Sequence, residues 1–286
     1  MRFSDDPRKS VVAGRFYPGD PGALRKDVIR YLSLRPQKQV DLKGKDILGV
    51  LAPHAGYVFS GPVAGMTLGR MALPDRVIAL GPNHTGMGAP ISVWNGGPWL
   101  TPLGAMPVDT EAASALAEAD AGFSGDVKAH LQEHSLEVLV PFFQVMNPKA
   151  RMAAVTVSSL PLSKLETAGK ALARVLAAAE AAGERILVVV SSDMSHYLPH
   201  DTAVKMDSMA LGALKTLDPE TFFATVRDNG ISMCGVFPMA MALFAFAELG
   251  ASSARVLAYA TSGQTGRDHG ADMDKVVGYA GAVITR

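Results

Sequence analysis

The sequence predicts an α/β protein in which a central, mostly parallel or mixed sheet carries helices on both faces. Three observations support this fold class: short continuous apolar runs, helical stretches between them, and turn formers where the two meet. Continuous apolar runs are typical of strands that are buried on both faces of a sheet. Their alternation with helices is typical of right-handed βαβ units.

The first half of the chain begins irregularly, because the stretch "AGRFYPGDPG" is rich in turn formers. Residues 22–34 predict a helix. The strand "DILGVLAP", the helix "SGPVAGMTLGRMAL" and the strand "RVIALGP" then form a βαβ unit, with Ser60 as the candidate N-cap of its helix. Residues 85–109 contain many glycines and prolines and predict a long loop or a hairpin.

The second half repeats the alternation. Helices are predicted at "VDTEAASALAEA" and at "EHSLEVLVPFFQVM", where Pro141 interrupts the second one. The strands "RMAAVTVSS" and "RILVVVSSDMSH" enclose an alanine-rich helix over residues 162–182. Three helical stretches follow across residues 201–249, and "ARVLAYATSG" and "KVVGYAGAVIT" are the last two strands. Because no repeat, low-complexity tract or linker divides the chain, residues 1–286 predict one domain.

Composition narrows the class of protein. The 27 Lys and Arg residues balance 27 Asp and Glu residues, which argues against a nucleic-acid binder or a membrane-surface binder, since both need a basic surface. The single cysteine excludes an internal disulfide and fits a reducing cytosol. The start, "MRFSDDPRKSVV", has no apolar signal core, and no apolar stretch is long enough to span a membrane. We therefore expect a soluble cytoplasmic protein.

Three of the seven histidines, His54, His84 and His196, each follow an apolar strand and lie in a turn with Gly, Pro or Ser. In open α/β sheets, ligands bind where strands end at their carboxyl edge. A single histidine in a turn most often bonds a backbone group or faces water. Three repeats of the same placement favour a shared site, and the neighbouring glycines would let the backbone approach a metal or small ligand closely.

Cys234 lies at the predicted start of the apolar helix in "NGISMCGVFPMAMALF", with Pro238 in its first turn. A helix start stabilises a thiolate through the helix dipole and free backbone N–H groups. A lone cysteine is often only a small buried hydrophobe. Beside His54 and His84 it becomes a candidate third metal ligand. Two imidazoles and a thiolate suit zinc, copper or iron(II), and do not suit Mg²⁺ or Ca²⁺.

Two further groups carry candidate acid–base chemistry. In "SSDMSHY", Asp193 and His196 share a short turn, where a carboxylate could orient the imidazole; an Asx-turn with a surface histidine is the alternative. In "EHSLEVLVPF", a helix would place His134 on the same side as Glu137, and Glu133 precedes both. A capping role for this segment is as consistent with the sequence as catalysis. Neither a nucleophile elbow, a P-loop nor a dinucleotide fingerprint occurs.

Six motifs in this order, "AGRFYPGD", "APHAGYVFSG", "GPNHTG", "EHSLEVLVPF", "SSDMSHY" and "CGVFPM", resemble the Memo family. Its bacterial and archaeal members are named AmmeMemoRadiSam system protein B, and the resemblance covers nearly the whole chain. It implies a fold similar to the LigB-type class III extradiol dioxygenases, non-haem iron enzymes that cleave catechol rings. It also implies a metal held by His54, His84 and Cys234.

The same resemblance implies that His196 is the counterpart of the acid–base histidine of the dioxygenases, with Asp193 beside it and His134 in the same pocket. The third ligand departs from the dioxygenases, which hold iron(II) with two histidines and a carboxylate. A thiolate shifts the metal preference towards copper or zinc and is itself oxidisable. The family name implies company with a radical SAM protein and an AMMECR1-like protein, and hence a modification pathway.

Two classes of function remain open. The first is a metal-dependent oxidoreductase similar to these dioxygenases, with one transition metal ion, iron(II) or copper before zinc, and a small molecule or peptide in the metal pocket. The second is a binding protein that uses the pocket for a peptide or partner without catalysis. A structural metal would be closed by a fourth protein ligand. His196 could be that ligand, so its relation to the metal separates the two classes.

Overall fold

The structure, a computed structural model, describes residues 1–35, 42, 44–119 and 121–286. The strands are β1 Ile47–Ala52, β2 Arg76–Pro82, β3 Ile91–Val93, β4 Trp99–Thr101, β5 Gly104–Met106, β6 Phe123–Gly125, β7 Arg151–Val157, β8 Ile186–Ser191, β9 His196–Leu198, β10 Ser253–Thr261 and β11 Val276–Thr285. The helices are α1 Pro21–Ser33, α2 Tyr57–Leu68, α3 Thr110–Ala117, α4 Val140–Met146, α5 Leu162–Ala181, α6 His200–Leu214, α7 Pro219–Asp228, α8 Val236–Glu248 and α9 Ser262–Thr265. Short 3₁₀ turns span Glu137–Leu139 and Arg267–His269.

One mixed sheet organises these elements in the order β10-β11-β1-β8-β2-β7-β3-β6, and β9 pairs with β11. The central strands β1, β8, β2 and β7 are all parallel to their neighbours in that group. Strand β11 is antiparallel to β1 and to β10, and β3 is antiparallel to β7. The α/β class with a mixed sheet is therefore confirmed, and the carboxyl ends of β1, β8 and β2 lie side by side.

Helices cover both faces of this sheet because alternate strand residues point to opposite sides. Leu51, with the facing residues of the other central strands, packs against α5 and α8. Val50 and Ala52 point the other way and pack in a second cluster with α1, α2 and α4. Gly49 lets the sheet meet α8 closely, since a Cβ there would lie 2.1 Å from the Phe246 ring. The described residues contain no helix whose length and hydropathy would let it span a bilayer.

Several local expectations need correction. Ser60 does not cap α2, which begins earlier with Gly56 as its N-cap; the Ser60 hydroxyl donates to the Ala55 carbonyl instead. Residues 85–109 do contain a hairpin, β4-β5, but β3 in the same stretch joins the main sheet. Pro141 does not interrupt a helix: it lies in the first turn of α4, where proline has no N–H to lose. The short strands β6 and β9 were not predicted, because three residues carry little periodicity.

A buried ion pair holds the amino end of β2. Arg76 and Asp109 are both almost fully buried, and the Arg76 Nε donates to the Asp109 carboxylate at 2.7 Å. Arg76→Met would leave the buried Asp109 carboxylate with only Arg151 as a charged partner, at 3.5 Å, so the variant is expected to lower the free energy of unfolding by up to roughly 3–5 kcal/mol. Urea unfolding of the variant and of the wild type measures this loss. A loss below about 1 kcal/mol would mean that the pair is effectively solvated.

One histidine, His130, is completely buried against a pair of tryptophans. The His130 imidazole has no exposed surface and lies edge-on to Trp94 and Trp99, and its Nε2–H donates to the Ser92 carbonyl at 3.1 Å. Burial, assisted by the nearby Arg8 guanidinium, lowers the pKa of His130 from 6.5 to about 3. The imidazole is therefore neutral in the folded protein at neutral pH.

This histidine predicts a pH dependence of stability. Between pH 6.5 and 3 the unfolded chain binds a proton at His130 that the folded chain does not, so stability falls as the pH falls through this window. The slope that His130 adds is about 1.4 kcal/mol per pH unit. His130→Gln keeps a donor for Ser92 and should remove this part of the slope. Urea unfolding at several pH values compares the two proteins, and equal slopes would contradict the prediction.

Candidate metal centre

The carboxyl ends of three adjacent parallel strands supply the candidate site. His54 follows β1, His84 follows β2, and the segment with Asp193 and His196 follows β8, which lies between them. Cys234 comes from the segment just before α8. The shared placement of the histidines in sequence thus has a simple cause: parallel strands of a βαβ fold bring their carboxyl ends to one edge.

Three of the residues bring their ligand atoms together. One nitrogen of His54, one nitrogen of His84 and the Cys234 sulfur all lie within 4.8 Å of one another. The Cys234 Sγ is 3.5 Å from the His54 Nε2, and the two imidazole centroids are 5.4 Å apart. A tetrahedral metal ion with Zn–N and Zn–S type bonds would separate such a nitrogen and sulfur by about 3.6 Å. The spacing therefore fits a single metal ion.

The other nitrogen of each histidine is already held, which leaves Nε2 available. The Ser191 hydroxyl donates to the Ser135 carbonyl at 2.6 Å, so it accepts from the His54 Nδ1–H at 2.7 Å. The His84 Nδ1–H donates to Glu133 Oε1 at 2.9 Å. Metal-binding histidines are characteristically oriented by such a partner on their second nitrogen. Both imidazoles are thus set in the tautomer that a metal requires.

Glu133 is the most heavily bonded side chain of the site. Besides the His84 ring, its carboxylate accepts the backbone N–H groups of His84, His134 and Ser135 at 2.6 to 2.9 Å. Burial alone would raise the pKa of Glu133, but the hydrogen bond and charge of His84 and these backbone donors lower it to about 2. The same pair raises the pKa of His84 against the effect of its burial. Glu133 is therefore an ionised anchor for His84.

His84, Glu133 and His134 also form a second group with metal-like spacing. Two observations argue that it supports the first group and does not bind a separate ion. It shares His84 with the first group, and the Glu133 oxygens already accept four N–H groups. His134 stacks on the His84 ring with centroids 4.9 Å apart, so it lies beside the first group. It lies before the 3₁₀ turn and α4, however, and the expectation that it shares a helix face with Glu137 is wrong.

Cys234 precedes α8 by two residues and is half-buried. The Asp193 backbone N–H donates to its sulfur at 3.2 Å. The expected lowering of the thiol pKa by a helix start is wrong for the metal-free protein, because burial first and the Asp193 charge second raise the pKa of Cys234. A bound metal ion deprotonates a coordinating thiol outright, so the site favours the thiolate only when a metal is present.

Glycine matters here at a different position from those expected. Gly56 has only ordinary contacts and Gly86 adopts a positive φ of 67° in open space, so neither provides a close approach. Gly235 does, since a Cβ there would lie 2.4 Å from the Ser192 Cβ. Its backbone N–H donates to the Ser192 hydroxyl at 2.8 Å. This contact holds the Cys234 segment against the end of β8.

Asp193 lies in the connection between β8 and β9, and His196 is the first residue of β9; the structure shows no hydrogen bond between these two described residues. The Asp193 carboxylate accepts the His54 backbone N–H at 2.8 Å, and burial raises the pKa of Asp193 to about 6. His196 is held by Ser232: its backbone N–H donates to the Ser232 hydroxyl at 2.8 Å, and its Nδ1 lies 3.0 Å from the Ser232 carbonyl. The His196 Nδ1 thus carries a proton, and Nε2 is left as the acceptor.

The turn around His196 is itself braced. Asp207 of α6 accepts the Ser195 backbone N–H at 2.9 Å and the Tyr259 hydroxyl at 2.8 Å. Tyr197, next to His196, has a φ of 59° and is 73% exposed. A non-glycine residue in this conformation persists only where its surroundings enforce it. These contacts keep His196 in place without using its Nε2.

Sequence reasoning missed part of this support. Glu133 was noted in its motif but given no role, Ser191 was passed over, and Ser232 was considered only as a cap for the helix that follows Cys234. The signal that could have indicated Ser191 is the pair of serines at the carboxyl end of a predicted strand, a few residues before a histidine. Ser232 carries no such signal, because its contact with His196 depends on the packing of two distant segments.

This fold and this site define an α/β protein with a candidate metal centre of two imidazoles and one thiol at the carboxyl edge of its sheet. Burial lowers the pKa of His54 well below 6.5, which keeps that imidazole in the metal-binding form. The donor set suits a borderline or soft transition metal.

Comparison with known proteins agrees. A family model described as Memo-like protein matches residues 8–283, and the chain belongs to the Memo family. It is 39% identical to a MEMO1 family protein of Methanopyrus kandleri, over 98% of this chain and 99% of that protein. It is 35% identical to a MEMO1 family protein of Aquifex aeolicus, over 97% and 98% respectively. A MEMO1 family protein of Archaeoglobus fulgidus is 34% identical, over 97% and 99%.

Proposed function

We propose that this chain is a metal-dependent oxidoreductase that binds one transition metal ion through His54, His84 and Cys234. Iron(II) or copper suits this donor set and a redox role, and zinc suits the donor set alone. The substrate is a small molecule or peptide that enters the pocket beside the metal. We also place this protein in a modification pathway with radical SAM and AMMECR1-like proteins, and the family resemblance supports that placement.

The observation that carries this proposal is the convergence of three ligand atoms from distant parts of the chain. The hydrogen bonds of Ser191 and Glu133 strengthen it, because they orient both imidazoles as metal ligands are oriented. A bound redox metal would supply a Lewis-acidic centre and one-electron chemistry at this point. A purely structural metal would instead need a fourth protein ligand.

The chain's own residues supply the remaining functions. His196 Nε2 accepts a proton from the substrate or returns one, while the Ser232 carbonyl holds its Nδ1–H. Asp193 positions the segments that carry His54 and Cys234. Its carboxylate accepts the His54 backbone N–H, and its own backbone N–H donates to the Cys234 sulfur. His134 forms a pocket wall against His84 and can donate or accept a hydrogen bond there, because burial lowers its pKa and keeps it neutral.

Metal content of freshly purified protein tests the proposal. We expect about one equivalent of a transition metal per chain in wild-type protein prepared without chelators and without air. His54→Gln should lose it. His130→Gln is the matched control, because it replaces an equally buried histidine that lies outside the ligand set. A wild-type protein that neither contains nor takes up a transition metal, or a His54→Gln variant that keeps it, would contradict the proposal.

One observation favours the second candidate, a binding protein without catalysis. Six large hydrophobic side chains are exposed in the described residues, and four of them, Val58, Met87, Leu131 and Tyr197, lie within four positions of a site residue in the sequence. Exposed apolar groups around a pocket favour contact with another polypeptide. The two candidates differ in what His196 does for the metal, and that difference can be measured.

A further inference from the structure

We propose that Arg8 is a positioning residue for Glu133 and, through it, for the metal ligand His84. The inference rests on the proposed metal site and extends it to the amino-terminal segment, which contributes no ligand. Arg8 would then set the affinity of the centre for its metal, although its contacts are with the segment behind the ligands.

The Arg8 side chain makes most of its contacts in the interior. The residue is 1% exposed, and its guanidinium lies over the Trp99 ring at 4.1 Å. Its Nε donates to the His130 carbonyl at 2.8 Å, and its Nη2 donates to the Glu133 carbonyl. Its Nη1 donates to the Glu137 carboxylate at 2.7 Å. A single planar group thus holds three points of residues 130–137.

These three points enclose the residue that orients His84. The Arg8 bond to the Glu133 carbonyl holds the Glu133 backbone, and the Glu133 carboxylate receives both the ring and the backbone N–H groups of His84. The guanidinium fork is rigid, so it fixes directions as well as distances. Loss of this fork would let Glu133 shift relative to the end of β2. His84 would then lose the partner that aligns its Nε2.

Glu137 balances the charge of Arg8 and binds the amino-terminal segment. Its carboxylate compensates the buried Arg8 charge and also accepts the Val11 and Val12 backbone N–H groups and the Tyr17 hydroxyl. The amino-terminal segment is therefore tied to residues 130–137 from both sides. This explains why a buried ion pair lies here, where apolar side chains would fill the same space at less desolvation cost.

A general stabilising role is the competing explanation, and the chain contains a matched control. Arg76 is also a buried arginine paired with a buried carboxylate, but it lies at the amino end of β2, the strand whose carboxyl end leads to His84. Arg8→Met and Arg76→Met both break a buried ion pair. Only Arg8→Met should change the metal centre.

The test measures Co²⁺ affinity by competition titration and the cobalt–thiolate absorption band in the wild type, Arg8→Met, Arg8→Lys, Glu133→Gln and Arg76→Met. Loss of a group that orients a ligand weakens metal binding by roughly 10–100-fold, and we expect this for Arg8→Met and Glu133→Gln. Arg76→Met should bind Co²⁺ within about 2-fold of the wild type. Arg8→Lys retains the charge without the fork, so it provides a folded variant if Arg8→Met does not fold, with weakened binding expected.

Amide hydrogen exchange in the metal-free proteins separates this inference from the proposed function. Arg8→Met or Arg8→Lys should speed exchange at His84, His134 and Ser135, whose N–H groups the Glu133 carboxylate accepts, by more than the loss of global stability explains, while Arg76→Met speeds it only as far as its loss of global stability does. Wild-type protein that fails to bind Co²⁺ overturns the proposed function. Unchanged exchange and unchanged Co²⁺ affinity in the Arg8 variants, or equal effects in Arg76→Met, overturn the positioning role.

Discussion

Replacing Cys234 with serine is expected to weaken binding of copper or zinc by more than about 100-fold, which is beyond the effect of losing a supporting hydrogen bond. Binding of a hard cation such as Mg²⁺ should stay weak in both proteins. The reason is that the thiolate is the soft donor in the group that His54, His84 and Cys234 form, and the chain contains no other cysteine to replace it. Calorimetric titration of the wild type and the variant measures the difference.

Serine is a suitable replacement because it changes the donor atom and little else. The segment before α8 would still be held by the Gly235 N–H bond to Ser192, and the Asp193 N–H could donate to the new hydroxyl. Circular dichroism and the melting temperature of the metal-free variant check that the fold is kept. A Cys234→Ser protein with unchanged copper affinity would show that the thiol is not a ligand.

Most of the fold could be predicted because the central strands are continuous apolar runs. The strands β1, β2, β7 and β8 each follow from such a run, and their parallel orientation follows from the helices between them. Parallel strands end at one edge of the sheet, so His54 and His84 could be expected at the same edge, although the insertion of β8 between β1 and β2 was not predicted. The candidate ligand set was accessible from sequence for this reason.

The supporting contacts could not be predicted in the same way, because they join segments that no periodicity relates. Arg8 reaches residues 130–137 across more than 120 positions, and Ser232 reaches His196 across 36. His134 was placed on a helix because its neighbours are good helix formers, but the Glu133 carboxylate accepts the backbone N–H groups of His134 and Ser135 and holds the segment in another conformation. The raised pKa of Cys234 depends on burial, which sequence alone does not give.

Replacing His196 with alanine is expected to leave metal content nearly unchanged and to reduce turnover by roughly 10²- to 10⁴-fold, the usual effect of losing a positioned acid–base group. The geometry supports this outcome. His196 does not belong to either group of described residues with metal-like spacing, and its Nδ1 is engaged by the Ser232 carbonyl. Its Nε2 is the nitrogen that remains for proton transfer.

Metal analysis of purified His196→Ala comes first, since it needs no knowledge of the substrate. Ser232→Ala is a useful companion, because it removes the hydroxyl that accepts the His196 backbone N–H and keeps the carbonyl that holds the ring. If His196 is an acid–base group, both variants keep their metal and their melting temperature. If His196 is a fourth ligand, His196→Ala loses metal and melts at lower temperature, as proteins do when a structural site is lost. A metal-depleted His196→Ala protein would exclude the acid–base role and favour a closed site in a binding protein, because no coordination position would then be open to a substrate.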